Sequence, residues 1–242
     1  VAAHEVGHAI GLPHNMGSSS AYPVDSLRSA TFTKKHGTAP SIMDYARWNY
    51  VAQPGDEGVA LMPSYWDTPN VGVYDKYSIK WGYKPILDVS EDEEKEILRS
   101  WIREKEDDLA YRYGDPGIDP SSQTEDLGDN AIKASEYGIA NLKRIVPNLI
   151  EWTTIDGEDY DDLQEIYNTV LSQFRRYMGH VTTNVGGVYQ YYKTSDQDGA
   201  VYSHVDKNHQ KACVEFLNKH LFETPYWMID KNILNKIEFA GM

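Results

Sequence analysis

The chain has 242 residues, with 37 acidic against 23 basic side chains and a formal net charge of −14. No basic stripe stands out, which argues against a nucleic-acid partner. No apolar run approaches the ~20 residues that span a bilayer. At 40% hydrophobic and 25% charged residues, this length suits one large domain or two modest ones. The single cysteine, Cys213, has no partner for an internal disulfide and is expected as a small buried apolar group. The 18 tyrosines and 6 tryptophans predict a core rich in large amphipathic rings.

The first 12 residues mix small and apolar side chains without turn signals. They predict a helix, ended by Gly11 and Pro13. From Asn15 to Gly58 the sequence is rich in Ser, Pro, Gly and Asn and predicts loops and turns. Tyr74 to Tyr83 predicts a short aromatic helix, closed by Gly82 and Pro85. Ser90 and Glu93 form a capping-box pattern, and Glu91, Asp92 and Glu94 crowd the same first turn, where the helix dipole favours anions. Ile97, Leu98, Trp101, Ile102, Lys105 and Leu109 follow at helical spacing.

A loop is expected from Gly114 to Asp129, then helices near 130–150 and 160–179. In the second of these, Leu163, Ile166, Tyr167, Val170, Leu171, Phe174, Tyr177 and Met178 form one apolar stripe. Val188 to Thr194 and Val201 to Val205 flank an Asp198-Gly199 turn and predict a β-hairpin. Helices near 207–221 and 230–238 complete the chain. The expected class is mainly α with a small β-hairpin. The expected division is a motif-bearing segment, 1–85, and a helical accessory subdomain, 86–242.

The chemistry is concentrated near the start. His4-Glu5-x-x-His8-x-x-Gly11-x-x-His14 carries three imidazoles and a carboxylate at fixed spacing. Four residues apart on a helix, His4 and His8 share one face and can reach one ion. Glu5 is turned by about 100° from His4, which suits a water on that ion better than the ion itself. Gly11 permits a sharp turn, with φ > 0 available, and the turn returns His14 as a third nitrogen. Three neutral histidines with an open fourth position describe a catalytic zinc site, whereas a structural site has no need of Glu5.

The signature resembles that of the metzincin clan of zinc metallopeptidases. Ser41-Ile42-Met43-Asp44-Tyr45 resembles the clan's Met-turn, with Met43 as a soft floor beneath the imidazoles. Tyr45 stands where astacin-like and serralysin-like enzymes carry a tyrosine that binds zinc and then steadies the oxyanion. A plain core tyrosine is the alternative. Asn15 departs from both of those families, which have Glu and Pro after the third histidine. His8 to Met16, Ser41 to Pro54 and Tyr74 to Tyr83 together resemble a family of large, exported bacterial zinc metallopeptidases that carry this segment near the C-terminus. Asp126-Leu127-Gly128-Asp129 is also similar.

This resemblance implies the C-terminal part of a metzincin-like catalytic domain followed by a helical subdomain. It implies Zn2+ on His4, His8 and His14, Glu5 as general base, and a peptide or protein substrate. Ala46 to Tyr50 would wall the pocket for the residue after the scissile bond. An N-terminal half of the same polypeptide would align the substrate and carry any targeting signal, placing the protein outside the cytoplasm. A silent zinc scaffold and a hydrolase of non-peptide amides are the rival readings. His36, His180, His204, His209 and His220 read as surface or core histidines. Asp156 to Asp159 and Asp196 to Gly199 complete no calcium loop and read as a helix start and a turn.

Overall fold

The structure is a computed structural model that describes residues 2–59 and 71–237. Val1 and position 238, the outer ends of the first and last predicted helices, lie outside the described residues. The described chain is mostly helical with one small antiparallel sheet. In order it runs through α1 (Ala2–Ala9), α2 (Ala30–His36), α3 (Val73–Tyr83), α4 (Glu91–Arg103), α5 (Ala131–Ile145), α6 (Leu149–Thr153) and α7 (Asp161–Thr182). Strands β1 (Val188–Gln190) and β2 (Tyr202–His204) follow, then α8 (Lys207–Leu217) and α9 (Lys231–Leu234).

The main core lies where α5, α6, α7 and α8 meet. Ile139, Leu142, Leu149, Leu163, Val170, Phe174 and Cys213 are buried there. Gly138 lets α5 and α7 close on each other, because a Cβ at that position would overlap the Tyr177 ring. Cys213 is fully buried, and burial pushes its thiol up to about 11, the state of an inert packing group. A second core joins Tyr22, Val24, Leu27 and Val51 to Leu127 and Ala134. Tyr50 packs against both cores, and its hydroxyl accepts from the Leu127 amide at 3.0 Å. Residues on either side of position 85 therefore share one of the two cores.

Several predicted elements take a different form. Within the stretch read as loops, Ala30–His36 is helical, capped by Ser29 on the Phe32 amide, with Lys34, Lys35 and His36 in its last turn. Helix α4 stops at Arg103 instead of running on to Leu109, which sits in a separate 3-10 turn, Leu109–Tyr111. The helix expected over 130–150 breaks at Val146-Pro147, where proline supplies no donor, and resumes as α6. The strands are three residues each, paired Val188 with His204 and Gln190 with Tyr202. Residues 191–201 separate them, so Asp198-Gly199 lies inside a long connection and makes no tight two-residue hairpin.

Candidate metal centre

Helix α1 presents His4 and His8 one turn apart. Gly11, at φ 87, then reverses the chain and brings back His14. The Gly11 amide donates to His8 O at 2.9 Å and the Leu12 amide to Gly7 O at 3.0 Å, which closes the helix end. Ring nitrogens of His4, His8 and His14 lie within 4.8 Å of one another. The His8 and His14 Nε2 atoms are 3.1 Å apart.

Two carbonyls orient these rings. His4 Nδ1 donates to Ile42 O at 2.7 Å, and His8 Nδ1 donates to Leu12 O at 2.9 Å. A carbonyl accepts only from an N–H, so both rings carry their proton on Nδ1 and turn the Nε2 lone pair inward. Burial, then the neighbouring His8 and His4, lower the pKa of His14, while Glu5 works the other way. His14 is thereby held towards the neutral state that a divalent cation requires. Ring nitrogens at this spacing are bridged either by a proton or by a cation. The donor chemistry fits zinc.

Beneath the helix, Met43 is fully buried. Its sulfur packs on Gly7, the residue between the two helical histidines, and a Cβ there would overlap Met43 Sδ. The Asn15 amide donates to Met43 O at 3.1 Å, tying the third histidine's turn to the methionine turn. Tyr45 is half-buried. Its hydroxyl lies 2.9 Å from His14 Nε2, and its ring stacks on His4 at 5.4 Å between centroids. Glu5 is exposed on α1.

The supporting residues were harder to read from sequence. Asp75, the third residue of α3, is fully buried. It accepts from Ser41 Oγ at 2.6 Å, from the Ile42 amide at 2.9 Å and from the Gly72 amide at 2.7 Å. Burial raises its carboxyl, and these three donors oppose the shift. Asn15 is also fully buried; its Nδ2 donates to Arg112 O and its Oδ1 accepts from the Gly114 amide, both at 2.9 Å. Asn15 thus uses both faces of an amide where a Glu could only accept. Asp44 Oδ2 accepts from Ser18 Oγ and the Ser19 amide, and Ser19 Oγ donates to Asp126 Oδ1 at 2.8 Å.

Among the other sequence candidates, His180 and His220 are buried and structural. His180 Nε2 donates to Thr124 O at 3.0 Å, and His220 lies 2.9 Å from Glu136 Oε1. Neither joins the three-histidine group. Asp196 pairs with Arg103 at 2.7 Å, as a surface ion pair.

Three imidazoles from a helix and its following turn, above a buried methionine, define a zinc-metallopeptidase-like domain of the metzincin clan. The chain belongs to the Met-zincin family, whose model matches residues 1–242. No curated protein and no solved structure matches the chain.

Proposed function

We propose that the chain carries the catalytic centre of a zinc-dependent endopeptidase, with His4, His8 and His14 as ligands and Glu5 as general base. The observation that carries this reading is the inward convergence of three ring nitrogens, two of them fixed by backbone carbonyls. When bound, zinc supplies Lewis acidity and a water whose pKa falls to about 7. Glu5 takes the proton of the attacking water and returns it to the leaving amine. Tyr45, whose hydroxyl already stands beside His14 Nε2, donates to the oxygen that gains charge as the carbonyl becomes tetrahedral. Ile42 O and Leu12 O hold the histidine rings through this cycle.

We put the reaction outside the cytoplasm in this proposal, supported by the resemblance to exported enzymes alone. It also assigns substrate alignment to the polypeptide ahead of α1, so the full-length protein is the form to assay. Purified with zinc, that protein is expected to cleave a denatured protein substrate and to stop when chelator is added. Glu5→Gln should keep its zinc by elemental analysis and lose about 10²–10⁴-fold in rate. Undiminished cleavage by Glu5→Gln would rule out its role as base. A protein that holds zinc yet cleaves no peptide is a silent scaffold. One that releases amines only from non-peptide amides is a different hydrolase.

A further inference from the structure

We propose that the cavity between Trp48 and Trp152, walled jointly by the helical half and the segment after the methionine turn, is a substrate pocket taking a bulky apolar side chain that has a carboxylate beside it. The inference rests on the peptidase reading of the histidine site. The cavity encloses about 510 Å³, within the roughly 300–1,000 Å³ usual for ligand sites. Leu142, Val170 and Tyr177 form a buried floor. At the rim Trp48 is 68% exposed, Trp152 62% and Ile166 42%. Ile166 belongs to the apolar stripe of α7, yet it turns to this cavity instead of the core. Large exposed rings gathered on one concavity mark recognition sites, and tryptophan and arginine are the usual anchors.

The charge at the mouth is specific. Glu125 forms an ion pair with Arg176 and reaches Arg47 only at 3.5 Å. The Arg47 side chain remains 56% exposed. Arg144 donates to the neutral side chains of Gln53 and Asn141. Two guanidiniums thus share the one carboxylate and a third meets only neutral side chains, a local positive excess on a chain of net charge −14. A planar carboxylate is the natural complement of such a cluster.

Continuity with the histidines identifies the occupant as the peptide being cleaved. The Arg47 guanidinium lies 4.9 Å from the centroid of the Tyr45 ring, and Tyr45 touches His14. One tyrosine therefore separates the mouth of the cavity from the ligand set. At about 3.3 Å per residue, an extended peptide crosses that gap in a few residues.

The test uses full-length Glu5→Gln protein, which binds without turnover, and a fluorescent end-blocked peptide with one Phe-Asp pair in an Ala/Gly background. Tight binding is expected, weakened about tenfold or more by Trp152→Ala. The Phe-Asn twin peptide should bind more weakly to the parent and show little further loss on Arg144→Gln, because the two changes remove one interaction. Equal affinity of the parent and Trp152→Ala for Phe-Asp would overturn the pocket. So would independent, additive losses, or a chain that self-associates through this face and excludes peptide. Cleavage of denatured protein by the Glu5 enzyme, measured separately, reports on the peptidase reading. Either result can therefore fail alone.

Discussion

Asp75 accepts the backbone N–H of Ile42 at 2.9 Å, and the carbonyl of that same Ile42 takes the Nδ1 proton of His4 at 2.7 Å. A carboxylate on α3 thus sets the angle of the His4 ring on α1 through one residue. The arrangement is a relay of position, with no proton passing along it.

Removing that carboxylate should be felt at the metal. Asp75→Ala leaves Ser41 Oγ and the amides of Ile42 and Gly72 without their acceptor in a buried site. The expected loss is about 3 kcal/mol of stability and about 10–100-fold in zinc affinity. Urea melts of the apo-protein and competition with a zinc chelator measure the two separately. Asp75→Asn turns an amide N–H₂ towards at least one donor and should recover little. Zinc affinity at the parent level in a folded Asp75→Ala protein would show that Ile42 needs no such brace.

Gly7 makes a second, steric link between the helix and the methionine turn. Gly7→Ala drives a Cβ into Met43 Sδ, and Met43 is itself fully buried. Helix propensity alone would make this substitution favourable by about 1 kcal/mol. Overpacking should reverse the sign, with a net loss of about 1–3 kcal/mol. Gly7→Ala combined with Met43→Ala should recover part of the loss, giving a positive coupling in a double-mutant cycle by thermal or urea unfolding. An unaltered or raised stability in the single variant refutes the contact.

The convergence of His4, His8 and His14 was legible in the sequence because helical spacing alone puts His4 and His8 on one face, and Gly11 can make the return turn at φ 87. Met43 was legible from the turn around it. Asp75 was not, because two of its three partners lie 33 and 34 residues away. A lone Asp near a helix start reads as an ordinary dipole-compensating residue. Asn15 looked like a departure from a family pattern, and only its contacts with Arg112 and Gly114 give it a purpose. The fold shows the same divide. The stripe of α7 and the cap of α4 are local and were readable. The short α2, whose burial depends on Tyr22 and Leu27 from a neighbouring turn, and the break at Pro147 between two apolar runs were not.

The last expectation concerns pH. Asp44 and Asp126 are both buried and both bonded to Ser19. Burial raises Asp44 to about 7 and pushes Asp126 well above the usual carboxylate range, where repulsion from Asp44 adds to the shift. In the unfolded chain both titrate near the ordinary aspartate value of 3.8. Above that value the folded state binds more protons than the unfolded one, so the pair's contribution falls as pH rises through the interval up to the folded pKa values. His180 has the opposite sign: burial depresses it to about 4 from 6.5, so its contribution is lost as pH falls through that window. The whole-protein profile mixes the two, and a difference curve separates them. Asp126→Asn keeps a carbonyl acceptor for Ser19 Oγ, needs no proton, and leaves Asp44 without a charged neighbour. Relative to the parent it should match or fall slightly below at pH 4 and gain with rising pH. The slope should be about 1.4 kcal/mol per pH unit for each proton the parent takes up. Urea midpoints of the two apo-proteins across that range give the curve. A flat difference would mean that Asp126 folds as a carboxylate, with its charge met by something other than Ser19.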